Sequence, residues 1–161
     1  MIKGLYIEDD NDNIISYSKR FKLKDIELIS IDTFPAKPAD FWQIVLENEV
    51  DFIIIDNHLH KKCVEYTGLQ VLEEIRKQDS EIYILYLTSK GIDFADKKLS
   101  NFDMEVDKND FIEKFQIVVD RIKRATSRDL GIKMEREIQE VSRIQNKYYE
   151  DRYKLLKEKL G

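Results

Sequence analysis

The chain has 161 residues, 42% hydrophobic and 37% charged, which is enough apolar content for a packed core and excludes a globally disordered chain. The net charge of −5 is unevenly spread: the front part is acidic and the tail mildly basic with alternating signs, so no basic nucleic-acid face is evident. One cysteine, Cys63, excludes an internal disulfide and fits a reducing cytoplasm; the sequence shows neither a bilayer-length apolar run nor a secretory signal after Met1.

Taken in chain order, short apolar runs alternate with amphipathic stretches. Leu5-Tyr6-Ile7 predicts a first strand, closed at once by acids. Residues 13–23 carry Ile14, Tyr17 and Phe21 at helical spacing, and 26–31 alternate as a strand. Residues 38–48 predict a helix that presents Phe41, Ile44 and Val45, with Pro38 near its start. Phe52-Ile53-Ile54-Ile55 is the clearest strand, because three consecutive β-branched residues after an aromatic suit burial on both faces. A helix over 69–78 places Leu69, Leu72 and Ile75 inward. Residues 82–87 predict a buried strand, 91–99 a short helix and 102–106 a last strand. A helix over 110–126 carries Ile112, Phe115, Val119 and Ile122 on one stripe.

Five β-α units in this order imply a parallel sheet with helices on both faces, and a ligand site at the carboxyl ends of the strands. Gly131 interrupts the pattern, and helical signals resume over 132–160. There Met134, Ile138, Val141, Tyr148 and Leu155 follow one heptad seam, with Gln145 and Arg152 at its polar positions. The expected organisation is a domain over 1–127 and a helical extension over 128–161. Three uses are open to the extension: a dimeric coiled coil, a helix docked in a partner's groove, or a helix folded back on its own domain.

The predicted strand ends carry Glu8, Asp9 and Asp10, then Asp56, Thr88 and Lys108. In a parallel sheet these distant positions converge. Clustered carboxylates repel one another and call for a hard cation such as Mg2+. A carboxylate there can attack phosphorus, while a hydroxyl and an ammonium bind the remaining phosphoryl oxygens.

Five motifs in order resemble the response-regulator receiver family: Ile7-Glu8-Asp9-Asp10, Asp51-Phe52-Ile53-Ile54-Ile55-Asp56, Thr67-Gly68-Leu69-Gln70-Val71-Leu72, Leu85-Tyr86-Leu87-Thr88-Ser89 and Asp107-Lys108. The resemblance covers residues 1 to about 126 and implies a flavodoxin-like α/β fold with a five-stranded parallel sheet. It further implies that Asp56 accepts a phosphoryl group from a histidine kinase or phosphotransfer protein. Glu8, Asp9, Asp56 and the backbone carbonyl of His58 would then hold Mg2+, with Thr88 and Lys108 binding the phosphoryl oxygens. Such a chain modifies its own aspartate and is not a turnover enzyme. Output by contact with another protein is expected, since some thirty helical residues make no helix-turn-helix module.

The sequence departs from the family pattern in four places. The loop from Asp56 to Gly68 is lengthened, His60 stands where proline is common, Asn109 replaces the proline after the lysine, and Glu105 replaces a switch aromatic. Glu105 and the lengthened loop motivate an alternative, a pseudo-receiver that serves as a constitutive interaction or dimerisation module without phosphotransfer. A second alternative is a metal-dependent phosphohydrolase on the same sheet.

Overall fold

The computed structural model describes residues 1–89 and 101–160. Five strands form one parallel sheet in the order β2-β1-β3-β4-β5: β1 (Ile2–Ile7), β2 (Ile26–Ser30), β3 (Phe52–Asp56), β4 (Tyr83–Thr88) and β5 (Met104–Asp107). The helices are α1 (Asn11–Lys22), α2 (Phe41–Glu47), α3 (Gly68–Gln78) and α4 (Phe115–Leu160). The expected flavodoxin-like order is present, and the helix expected over 91–99 lies outside the described residues.

Side-chain alternation explains the two-sided core. Leu5, Ile7, Ile53, Ile55, Ile84 and Tyr86 point to the face that α2 and α3 cover, where they meet Phe41, Val45, Val71, Leu72 and Ile75. Tyr6, Phe52, Ile54, Leu85 and Leu87 point to the other face and meet Phe21, Phe111, Val118, Val119 and Ile122. Every residue of β3 is buried, as its unbroken apolar run predicts. Each fully buried isoleucine in it contributes about 1.5–3 kcal/mol. On β1, Gly4 meets the Phe52 ring so closely that a β-carbon would lie 2.2 Å from its tip.

Several boundaries differ from the sequence reading, and three of the differences bear on the argument. The last strand starts at Met104 rather than Phe102, because Asp103 is committed elsewhere: its N–H donates to the Ile84 carbonyl, and its carboxylate accepts from the Ile84 N–H and from Arg76. The final helix begins at Phe115, after a 3-10 turn at Lys108–Asp110 that the Asp107 side chain caps. Val119 and Ile122 are buried as expected, but Ile112, which precedes the helix, is exposed while Phe111 and Val118 are buried. Gly131 does not interrupt the helix, which continues to Leu160. One glycine costs a helix about 1 kcal/mol and does not end it when no proline follows.

The chain divides into two compact units, Met1–Thr126 and Ser127–Gly161. In the second, Met134, Ile138, Val141, Ile144, Tyr148, Tyr149, Tyr153, Leu155 and Leu156 are all exposed. No helix among the described residues is long and apolar enough to cross a membrane.

Candidate functional site

Strand register explains why distant acids meet. Tyr6 pairs with Ile54 and Ile7 with Ile55, so the next residues along, Glu8 and Asp56, are neighbours at the carboxyl edge. Both continue the row of Tyr6 and Ile54. Leu87 pairs with Asp56 on the other side, and Val106 pairs with Leu87. Lys108 stands two residues further on, and its long side chain reaches Asp56 and Glu8. Its Nζ lies 2.5 Å from Asp56 Oδ2 and 3.3 Å from Glu8 Oε2.

Glu8 and Asp56 are fully buried, Asp9 and Thr88 nearly so. One oxygen from each of Glu8, Asp9 and Asp56 lies within 4.8 Å of the others. Thr88 closes β4 at the same edge and pairs with Asp107, one step beyond the Leu87–Asp56 pair. The structure therefore gathers Glu8, Asp9 and Asp56 within 4.8 Å, brings Lys108 onto Glu8 and Asp56, and sets Thr88 at the same edge. His58 donates its backbone N–H to Asp56 Oδ1 at 3.3 Å, and its side chain is exposed on the rim.

The three adjacent acids divide their work. Glu8 is tied down by the N–H groups of Asp9 and Asp10 and by the Tyr6 hydroxyl, which donates to Oε2 at 3.2 Å. Asp10 caps α1, its Oδ1 accepting from the Asp12 N–H at 2.9 Å. Its Oδ2 pairs with the Lys61 ammonium at 3.2 Å, so both oxygens are engaged. Asp9 Oδ2 accepts from the Lys61 backbone N–H at 3.2 Å. Neither Lys61 nor Tyr6 was marked by the sequence. Lys61 is 52 residues from Asp9, and nothing short of the fold relates them.

Burial, reinforced by the charge of Asp56, pushes the Glu8 carboxyl up to about 8, which favours its protonated form. Burial acts to lower Lys108, but its hydrogen bond to Asp56 and the charges of Asp56 and Glu8 outweigh that and leave it raised. Tyr6 is driven far above the usual phenol range, first by burial and then by Glu8. A buried nest of oxygen donors with one ammonium is suited to a hard cation and to a nucleophilic carboxylate.

The segment after Asp56 is fastened to the strand it leaves. The Gly68 N–H donates to the Asn57 carbonyl at 3.0 Å, and the Leu69 N–H to Asn57 Oδ1 at 3.3 Å. Thr67 then caps α3 in a reciprocal box with Gln70.

No protein-family model matches the sequence, and comparison with curated proteins returns no match. Solved structures do match. The response regulator TrrA of Thermotoga maritima, in complex with Mg2+-BeF, is 18% identical, with a TM-score of 0.62 over 76% of this chain and 99% of that one. A receiver domain protein from Clostridium thermocellum is 18% identical, with a TM-score of 0.64 over 82% of this chain and 99% of the other. TrrA also matches in its complex with the histidine kinase ThkA, at 18% identity and a TM-score of 0.61 over 76% and 98%.

Proposed function

We propose that this chain, whose fold is that of response-regulator receiver domains, takes a phosphoryl group on Asp56 and signals by protein contact. The observation that carries the reading is the meeting of Glu8, Asp9 and Asp56 within 4.8 Å, beside the Lys108 ammonium. Three buried oxygen donors fit Mg2+, which Glu8, Asp9, Asp56 and the backbone carbonyl of His58 would hold. When bound, Mg2+ neutralises charge on the phosphoryl oxygens.

Asp56 supplies the nucleophile. One of its oxygens attacks phosphorus, a P–O bond forms, and the P–N bond to a donor imidazole breaks, leaving its electron pair on the ring nitrogen. Lys108, already on Asp56 Oδ2, pairs with a phosphoryl oxygen, and the Thr88 hydroxyl donates to another. The cycle modifies the chain itself and turns over no free substrate.

The donor is a histidine kinase or phosphotransfer protein, in keeping with the ThkA complex of TrrA. On this reading residues 1–127 form the receiver, acting in the cytoplasm, and 128–161 form the output helix. Its exposed seam of Met134, Ile138, Val141, Tyr148 and Leu155 offers the surface for an output protein or for a second copy.

Incubation with Mg2+ and acetyl phosphate, or with Mg2+ and beryllofluoride, tests the proposal beside Asp56→Asn. Intact mass should show one phosphoryl group on the parent chain and none on the variant. Failure to take up cation or mimic would favour the constitutive pseudo-receiver. Steady turnover of phosphate esters would favour the hydrolase.

A further inference from the structure

The lengthened loop after Asp56 is a built turn. Leu59 is 1% exposed and anchors it in the core. The N–H groups of Lys62 and Cys63 donate back to the carbonyls of Leu59 and His60, at 3.1 Å each. Cys63 then takes a left-handed conformation, φ 57°, that reverses the chain. Lys62 Nζ donates to the Asp32 carbonyl at 3.1 Å and lies 5.7 Å from the centre of the Phe34 ring. The Tyr66 hydroxyl donates to the Pro35 carbonyl at 2.7 Å. The turn is thus fastened on both sides, and its middle residue, Lys61, faces the acidic corner.

Two contacts from Lys61 reach that corner, and they act on different acids. The backbone N–H holds Asp9 Oδ2, and the ammonium holds Asp10 Oδ2. A carboxylate on an open strand end rotates freely. One bound to a fixed N–H has a set orientation and keeps its second oxygen for a ligand.

We infer that Lys61 is a positioning residue for the cation site: its backbone amide orients Asp9, and its ammonium keeps Asp10 on α1 and out of the site. The inference rests on the proposed Mg2+ site. The lengthened loop thereby belongs to the acidic centre, as the outer layer that fixes one of its ligands.

The test is a Mg2+ titration of the full chain, followed by calorimetry and by amide NMR, for the parent, Lys61→Pro and Lys61→Ala. Lys61→Pro has no N–H to donate and should bind Mg2+ about 10- to 100-fold more weakly, the loss expected when an outer-layer partner of a ligand goes. Lys61→Ala keeps the N–H and loses an exposed ion pair, so its affinity should move by less than about fivefold. In the parent, the Lys61 amide should exchange slowly and shift with Mg2+ at the same midpoint as the calorimetric curve. A folded Lys61→Pro that binds as tightly as the parent overturns the inference and leaves the cation site standing. Should that variant fail to fold, a parent Lys61 amide that exchanges at the rate of an unprotected loop and ignores Mg2+ overturns it equally. A parent chain that binds no Mg2+ removes the cation site itself.

Discussion

Gly68→Ala is expected to destabilise the domain by about 2–3 kcal/mol. A β-carbon at this position would lie 2.1 Å from the Asp56 carbonyl oxygen, 2.8 Å from its carbon and 2.7 Å from Ile55 Cγ2, where ordinary contact begins at 3.4 Å. Those atoms belong to β3, which is buried throughout and paired on both edges, so the strand cannot give way by the missing ångström. The start of α3 must lift instead, which strains the Gly68–Asn57 hydrogen bond. Overpacking a core costs about 1–3 kcal/mol, and a clash with a paired backbone belongs at the upper end. The better helix propensity of alanine returns at most about 1 kcal/mol. Urea denaturation reads the result: with a slope of about 1–3 kcal/mol/M, the midpoint should fall by roughly 1 M at unchanged slope. A loss below about 0.5 kcal/mol would refute the close-approach argument.

Further outcomes follow from other contacts. Arg76 bridges α3 to the sheet, donating to the carbonyls of Asn101 at 2.6 Å and Ile82 at 2.7 Å and to Asp103 Oδ2 at 2.9 Å. Arg76→Ala should therefore cost about 2–4 kcal/mol in the same assay, and a change indistinguishable from zero would show the bridge to be slack. Thr67→Ala removes one half of the α3 capping box and should cost about 1 kcal/mol, with Thr67→Ser close to the parent. The Glu8 carboxyl sits at about 8 in the folded chain, against 4.5 for the ordinary group. Between those values the folded chain holds a proton that the unfolded chain has released. Stability should then fall as pH rises from about 4.5 through about 8, and level off above. Glu8→Gln should flatten that slope, and an identical slope in the variant would remove Glu8 as its source.

The sheet was legible because burial on two faces leaves a mark that few other environments leave. Phe52 to Ile55, and the run ending at Leu87, name their strands without help. The acidic corner was legible for a related reason: parallel strands deliver their carboxyl ends to one edge, so polar residues just past apolar runs are candidates together. What escaped lies where local pattern and tertiary contact part. Ile112 matches a helical stripe, yet it is exposed, because Asp107 caps a 3-10 turn that postpones the helix to Phe115. Lys3 and Gly4 carry no strand signature, yet β1 includes them through pairing with Glu27 and Leu28. Gly131 reads as a break only if its small local cost is taken to outweigh the helix on either side. Lys61 carried no signal, because its partners Asp9 and Asp10 are brought to it only by the finished sheet.

The Lys108 ammonium, seated between Asp56 and Glu8, makes the acidic corner behave as a small ion exchanger. The ammonium already supplies a counter-charge here, so a cation bound as proposed would compete with it rather than fill a void. A monovalent ion brings no more charge than the ammonium it would evict, and it lacks the tether that holds lysine in place. A divalent ion brings twice the charge to the same oxygens, and the electrostatic gain grows in proportion. If the corner takes a divalent cation as proposed, preference for it over a monovalent one would reside in this one side chain. On that reading Lys108 would remain within reach of the site, able to pair with a phosphoryl oxygen.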